Sequence, residues 1–202
     1  MGGPGCESKS QAQRRTLRRL FAINAVMFAV ELVAGLMAES TGLLADSLDM
    51  LADAGVYGAA LLVVGSSIRR QSYAATASGL VQLSLAVIVV AEVARRWLWG
   101  SEPASAAMIG VSFLALIANA ACVALLREHR AGDVHMRASW IFSTTDVQVN
   151  IGVMLAGLLV MITGSRVPDL VIGAAICGLV IRGGIRILRE ARQARLEPAT
   201  SD

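Results

Sequence analysis

Three aspartates, Asp46, Asp49 and Asp53, lie in an apolar stretch, residues 42–65, that is long enough to cross a bilayer and contains no Lys or Arg. Their spacings of three and four residues place all three on one face of a helix. One carboxylate at membrane depth costs at least about 2.5–3.5 kcal/mol on insertion scales. Three on one face therefore need a compensating partner, and the simplest partner is a cation that the protein binds and moves.

A second polar pair, Asp146 and Asn150, repeats the four-residue spacing of Asp49 and Asp53. Two carboxylates one helical turn apart can share one metal ion from the same side. The second pair adds a carboxylate and an amide carbonyl oxygen. Such a set of hard oxygen ligands suits divalent Mn, Fe, Co or Zn when water completes the coordination shell. We therefore predict a metal site formed by these four residues.

For other polar residues at membrane depth, more than one role fits the sequence. Asn24 and Glu31 are seven residues apart and lie on one face of the first apolar segment. For Asn24 an interhelical hydrogen bond competes with a supporting role at the metal site, and Glu31 belongs to the same supporting, proton-handling group. Asp46 has three possible roles: proton handling, a hydrogen bond to a ligand, or an outer relay site. The amides at similar depth receive no role: Gln82, Asn119 and Gln148.

The composition indicates an integral membrane protein. The chain has 202 residues, 55% hydrophobic and only 16% charged, with a mean hydropathy of +0.63; ordinary soluble domains carry about 25% charged residues. Nothing alternates as barrel strands would, so we predict an all-α protein of six transmembrane helices. The apolar segments run over residues 18–38, 43–67, 74–98, 105–126, 138–163 and 168–188.

The basic residues predict the orientation. All but one of the eighteen are Arg, and nearly all flank the apolar segments. The positive-inside rule puts both termini in the cytoplasm, with the protein in the inner (plasma) membrane. Nucleic-acid binding is excluded because the arginines do not interleave with aromatic residues. The arginines on the predicted cytoplasmic side are Arg14, Arg15, Arg18, Arg19, Arg69, Arg70, Arg127, Arg130, Arg137, Arg186, Arg189, Arg192 and Arg195, and those on the other side are Arg95, Arg96 and Arg166.

The same pattern divides the chain into three parts. We expect residues 1–15 to be a disordered cytoplasmic leader, residues 16–190 to form the transmembrane transporter domain, and residues 191–202 to be a short cytoplasmic tail. Glu92 lies beside Arg95 and Arg96 at the outer membrane interface, and we predict an ion pair there and no metal ligation.

The sequence resembles the cation diffusion facilitator family. Residues 24–35, with Asn24 and Glu31, followed by the run STGLLADSLDMLAD at 40–53, resemble that family's first two spans, and residues 137–153 resemble its fifth span. The resemblance implies a six-helix exporter that moves divalent transition metals out of the cytoplasm in exchange for protons. It also implies a tetrahedral site in which Asp49 and Asp53 match one pair of ligands and Asp146 matches the second Asp of the other pair.

Two departures from the family pattern are evident. Phe142 stands four residues before Asp146, where the family has His or Asp, and Phe cannot ligate a metal. We therefore suggest Asn150 as the replacement ligand. The chain also ends where the family's cytoplasmic metal-binding domain begins, which implies a short form and leaves only transmembrane helices for a homodimer. The loop residues His129, Asp133 and His135 are interpreted as a solvated loop in preference to a metal-loading site.

These features predict a secondary transporter, not an enzyme, since no nucleophile–base pair or phosphate loop is present. Its partners would be protons, the lipid bilayer and divalent Zn, Co, Cd, Fe or Mn as substrate, with no required cofactor. The main alternative is a non-transporting membrane scaffold or sensor with a degenerate site. A proton-coupled exporter of organic cations is a second alternative, weakened by the 4% aromatic content.

Overall fold

A computed structural model describes residues 4–63, 68–127 and 134–196, and the regular secondary structure in these ranges is entirely helical. The result confirms the predicted all-α class and the six predicted segments. The helices are α1 (Pro4–Met37), α2 (Thr41–Val63), α3 (Ile68–Trp99), α4 (Ser105–Arg127), α5 (Val134–Thr163) and α6 (Val167–Leu196).

Five of these helices, α1 and α3 to α6, are long and apolar enough to cross a membrane by length and composition. The remaining helix, α2, has 23 residues, more than the roughly 20 that a span requires. It carries the three aspartates within an otherwise apolar stretch. Within the described ranges, α2 contacts all five other helices. The helix with the three aspartates is therefore the central one, and its neighbours separate it from the surroundings.

Both ends of the helical region extend beyond the predicted domain boundaries. α1 begins at Pro4, within the leader that we expected to be disordered, and α6 continues to Leu196, past the predicted start of the tail at residue 191. The added segments are rich in Glu, Gln, Lys, Arg and Ala, which are strong helix formers. Their helices can therefore continue without an apolar face.

The helices pack most extensively as three pairs, α1 with α2, α4 with α5, and α3 with α6. The largest core cluster joins α2, α5 and α6, with Leu43, Val153 and Ile176 among its buried members. Large apolar side chains are exposed along the outer faces of the bundle, as expected where lipid takes the place of water. This arrangement fixes α2 against α5 and so determines which polar residues meet.

Small residues on α5 and α6 serve contacts within the chain. A Cβ atom added at Gly173 would lie 2.8 Å from Thr41 Oγ1, and one added at Gly152 would lie 3.0 Å from Ile172 Cδ1. These two glycines therefore let helices of one chain approach closely. Gly178 differs, because a Cβ there would meet nothing within 4 Å.

Candidate metal centre

The predicted ligands of α2 and α5 meet where the two helices cross. The carboxyl group of Asp146 on α5 lies within hydrogen-bonding reach of the carboxyl groups of both Asp49 and Asp53 on α2. Tyr57, one turn beyond Asp53, donates a hydrogen bond from its hydroxyl group to Asp53 Oδ2 at 3.2 Å. Two helices that are far apart in the sequence thus bring three carboxyl groups near one another.

Two more acids extend this group toward α1. Glu31 lies close enough to Asp46 and Asp49 for electrostatic repulsion among the three carboxylates, and Asp46 also interacts with Asp146. We call the five residues Glu31, Asp46, Asp49, Asp53 and Asp146 the acidic cluster. Ion pairs among the described residues are formed instead by Glu92 and Glu190. Within those residues, the cluster is therefore not neutralised by a basic side chain.

Several oxygens of the acidic cluster lack hydrogen-bond donors among the described residues. Within the described part of the chain, both carboxylate oxygens of Glu31 and of Asp46 are buried without a hydrogen-bond partner, and so is Oδ2 of Asp146. Buried polar atoms in proteins are nearly always paired, because an unpaired one costs about 1–3 kcal/mol. An excess of buried acceptors over donors is a feature that a bound cation would relieve.

Asn150 lies at the same interface, one turn after Asp146 on α5. Its Nδ2 donates a hydrogen bond to the backbone oxygen of Asp146 at 2.7 Å, while its Oδ1 is buried and has no hydrogen-bond partner. The bond to the backbone fixes the amide orientation. It leaves the oxygen, the only atom of this amide that could bind a cation, free of other bonds.

The carboxyl groups do not form a closed cage. Among residues 4–63, 68–127 and 134–196, no group of three or more His, Cys, Asp or Glu side chains is spaced to hold a metal ion as it stands. A closed cage would bring three like charges together, which is unfavourable unless a cation offsets their repulsion. Small shifts of the α2 and α5 side chains would therefore have to accompany binding.

Comparison with known proteins identifies the family of the chain. The family described as the cation efflux transmembrane domain matches residues 17–194. The chain belongs to this cation efflux family. The match includes α2 to α5 entirely and confirms the resemblance to cation diffusion facilitators, which places the chain among transport proteins and not among classical enzymes.

Two curated relatives are similar to this cation efflux chain at lower identity. They are the zinc transporters ZitB of Yersinia pseudotuberculosis serotype I (strain IP32953) and of Yersinia pestis, each 25% identical over 195 residues. The alignment covers 90% of this chain and 62% of each relative. The chain thus spans less than two thirds of the length of these relatives.

Other residues singled out in the sequence lie around the acidic cluster. Asn24 on α1 donates from Nδ2 to Leu20 O at 2.9 Å and to Cys122 Sγ on α4 at 3.8 Å, while its Oδ1 is unpaired. It therefore joins α1 to α4.

The predicted ion pair at the outer interface is present. Arg95 Nε and Arg96 Nε each donate to Glu92 at 2.7 Å. Glu92 is thus held by two arginines and lies apart from the acidic cluster, as the sequence predicted.

Part of the sequence interpretation falls outside the described structure. Phe142 belongs to α5, but the position of its side chain is not described, so its effect on ligation stays a prediction from the sequence. His129 and Asp133, and the side chain of His135, also lie outside the described residues.

One residue that supports the site and that the sequence analysis missed is Asp169, in the first turn of α6. Its carboxylate accepts hydrogen bonds from Ser40 Oγ at 2.6 Å and from the backbone N–H groups of Thr41 at 2.7 Å and Gly42 at 2.9 Å. It therefore caps the N-terminus of α2, the helix that carries three acids of the cluster. The sequence showed only an acid suited to the start of its own helix, and the partner is 128 positions away.

Proposed function

We propose that this protein exports a divalent transition-metal cation from the cytoplasm in exchange for protons, with Asp49, Asp53, Asp146 and Asn150 as the ligands. The substrate class is Zn, Co, Cd, Fe or Mn, and the protein is a multi-pass protein of the inner (plasma) membrane. It is a secondary transporter and needs no other cofactor.

One observation carries the proposal: a buried, all-acid cluster at the crossing of α2 and α5, without basic partners among the described residues. A structural ion-pair network would contain both signs of charge, and an anion site would contain donors. The free oxygens of Asp146 and Asn150 supply the acceptors that a hard cation prefers.

The ligand chemistry gives a transport cycle. Carboxyl ligands must lose their protons when a metal binds, so binding from the cytoplasm releases protons. A movement of the helices then exposes the site to the outside, where external protons compete the metal off. The protonated, neutral carboxyl groups permit the return. Glu31 and Asp46 lie beside the ligands and provide positions for protons in transit.

A non-transporting scaffold or sensor is the second candidate. It is favoured by Phe142 at a family ligand position and by the fact that the described carboxyl groups do not form a closed cage. On this alternative, the acidic cluster would be a remnant. The two functions differ in one measurable property, metal flux across a sealed membrane.

The test is reconstitution of the full chain in liposomes with a pH gradient, with uptake of Zn, Co, Cd, Mn and Fe measured in turn. We expect flux that depends on the gradient in the wild type and is lost in Asp49→Asn, which keeps the side-chain shape and removes the charge. Glu190→Gln is the matched acid-to-amide control, because Glu190 lies on the exposed face of α6.

The outcomes separate the candidates. Absence of flux for every metal in the wild type, in vesicles where the protein is intact, would favour the scaffold or sensor. Wild-type flux in Asn150→Ala would remove only the fourth ligand from the proposal. A change of metal preference in Phe142→His would show that this family position still faces the site.

A further inference from the structure

Asn119 on α4 is an isolated polar side chain in the interior of the bundle. Only 1% of its surface is exposed, and among the described residues neither Oδ1 nor Nδ2 has a hydrogen-bond partner. A buried amide with both ends unpaired is costly and calls for a ligand or a function. It lies on one buried stripe of α4 that comprises Met108, Ser112, Ala115, Asn119, Cys122 and Leu126.

The packing of α4 against α5 fixes the depth of Asn119. The two helices are antiparallel, and a Cβ atom added at Gly157 would lie 2.9 Å from Met108 Cβ, which marks one point of contact. Asn119 follows Met108 by eleven residues, and Asp146 precedes Gly157 by eleven. Eleven residues make about three turns on each helix. Asn119 and Asp146 therefore lie at about the same level along the two helices.

A neighbour on the same stripe of α4 supports this placement. Cys122 lies one turn from Asn119, and its thiol interacts electrostatically with the carboxylates of Asp53 and Asp146. The same thiol accepts the hydrogen bond of Asn24. The stripe of α4 thus faces the interior of the bundle, beside the acidic cluster.

We propose that Asn119 Oδ1 is a further metal ligand, supplied by a third helix, with its Nδ2 donating to the free Oδ2 of Asp146. This inference rests on the proposed transport function and narrows its substrate. With Asn119, the site has five oxygen-bearing side chains and no nitrogen or sulfur ligand.

The larger oxygen set narrows the choice of metal. Zn²⁺ in proteins is usually four-coordinate with nitrogen or sulfur ligands, whereas six-coordinate oxygen sites suit Mn²⁺ and similar ions. Raw affinity rises from Mn²⁺ toward Cu²⁺, so geometry must provide the selectivity. The substrate class is then a divalent ion that accepts five or six oxygen ligands, Mn²⁺ or Fe²⁺, in preference to four-coordinate Zn²⁺.

The test measures metal binding by the purified full chain in detergent, with Mn²⁺ and Zn²⁺ competing against a fluorescent chelator. Asn119→Leu keeps the volume and removes both polar atoms, and Asn119→Asp keeps the oxygens and removes the donor. Ser112→Ala is the matched control, because Ser112 is buried and unpaired on the same stripe, two turns away.

We expect Asn119→Leu to weaken Mn²⁺ binding by about 10–100-fold, Asn119→Asp to bind at least as tightly as the wild type, and Ser112→Ala to be unchanged. Wild-type affinity in Asn119→Leu would overturn the proposal. So would equally weak binding in Asn119→Asp, since that would mean the amide acts only through its N–H group. Gel filtration and thermal melting of each variant identify misfolding.

A spectrum gives an independent readout. Co²⁺ bound by five or six oxygens absorbs weakly in the visible range, whereas four-coordinate Co²⁺ absorbs strongly. We expect a weak band in the wild type, and a strong four-coordinate band there would contradict the oxygen-rich site. Failure of the wild type to bind any of the metals would instead refute the proposed transport function.

Discussion

Two buried aspartates, Asp169 and Asp46, occupy contrasting environments in the same bundle. Both are fully buried, with 0% of the surface exposed. Asp169 accepts hydrogen bonds from a hydroxyl group and two backbone N–H groups at the start of α2, and a further one from Thr41 Oγ1 at 2.8 Å. Asp46, less than two turns further along α2, has no hydrogen-bond partner for either oxygen.

The difference indicates different roles: Asp169 is an anchor, which holds the start of α2 in place, whereas Asp46 is a candidate for function. A carboxylate with all its partners in place stabilises the fold, and removing it leaves donors unsatisfied. A buried carboxylate without partners destabilises the fold and persists only where it has another use. The number of partners thus distinguishes the roles of two residues that the sequence presents as the same type at similar depth.

The largest effect on stability is expected when Asp169 is replaced. Asp169→Ala leaves the N–H groups of Thr41 and Gly42 without their acceptor, and hydrogen bonds to a charged group are worth about 1.5–3 kcal/mol each. We expect the free energy of unfolding to fall by about 3 kcal/mol or more, measured by thermal melting in detergent. Glu190→Gln, at an exposed helical ion pair, serves as the control and should melt as the wild type does. Equal melting of Asp169→Ala and the control would show that the cap is dispensable.

The next effect concerns transport. Asp146→Asn removes the carboxylate that α5 places near Asp49 and Asp53 but preserves the side-chain shape. We expect metal flux in proteoliposomes to fall at least about 100-fold, equivalent to about 2.7 kcal/mol, with little change in melting temperature. A variant that transports as well as the wild type would remove Asp146 from the site. Failure of the Asp146→Asn variant to fold would instead mean that Asp146 is needed for stability, as Asp169 is.

The comparison also shows how far the sequence alone could lead. Helix number and the stacking of Asp49 with Asp53 follow from local periodicity, which is written in neighbouring residues. The cap by Asp169 and the position of Asn119 depend on how distant segments pack. Asn119 was recognisable as polar at membrane depth, but only the contact of Met108 with Gly157, which sets the register of α4 against α5, brings it level with Asp146. Contacts of this kind leave no periodic signal.

A smaller effect on stability is expected at Gly173, where α6 lies close to the start of α2. Gly173→Ala would put a Cβ atom 2.8 Å from the carbonyl carbon of Thr41, where backbone must move. Overpacking of this kind costs about 1–3 kcal/mol. Gly178→Ala on the same helix is the matched control, since its Cβ would meet nothing within 4 Å. It should gain up to about 1 kcal/mol from higher helix propensity. Opposite shifts in melting temperature are expected, and equal shifts would contradict the tight contact.

The smallest change in stability is expected at Asp46. Its sign is opposite to that of the change expected at Asp169. Asp46→Asn removes one of several mutually repelling charges and no hydrogen bond, so we expect the protein to become more stable by about 1 kcal/mol. Asp169→Asn, the same substitution at the anchor, should destabilise it. Metal flux should nevertheless fall in Asp46→Asn, because an amide cannot carry a proton between the site and the outside. A destabilised Asp46→Asn variant with normal flux would mean that Asp46 is a second anchor with no part in transport.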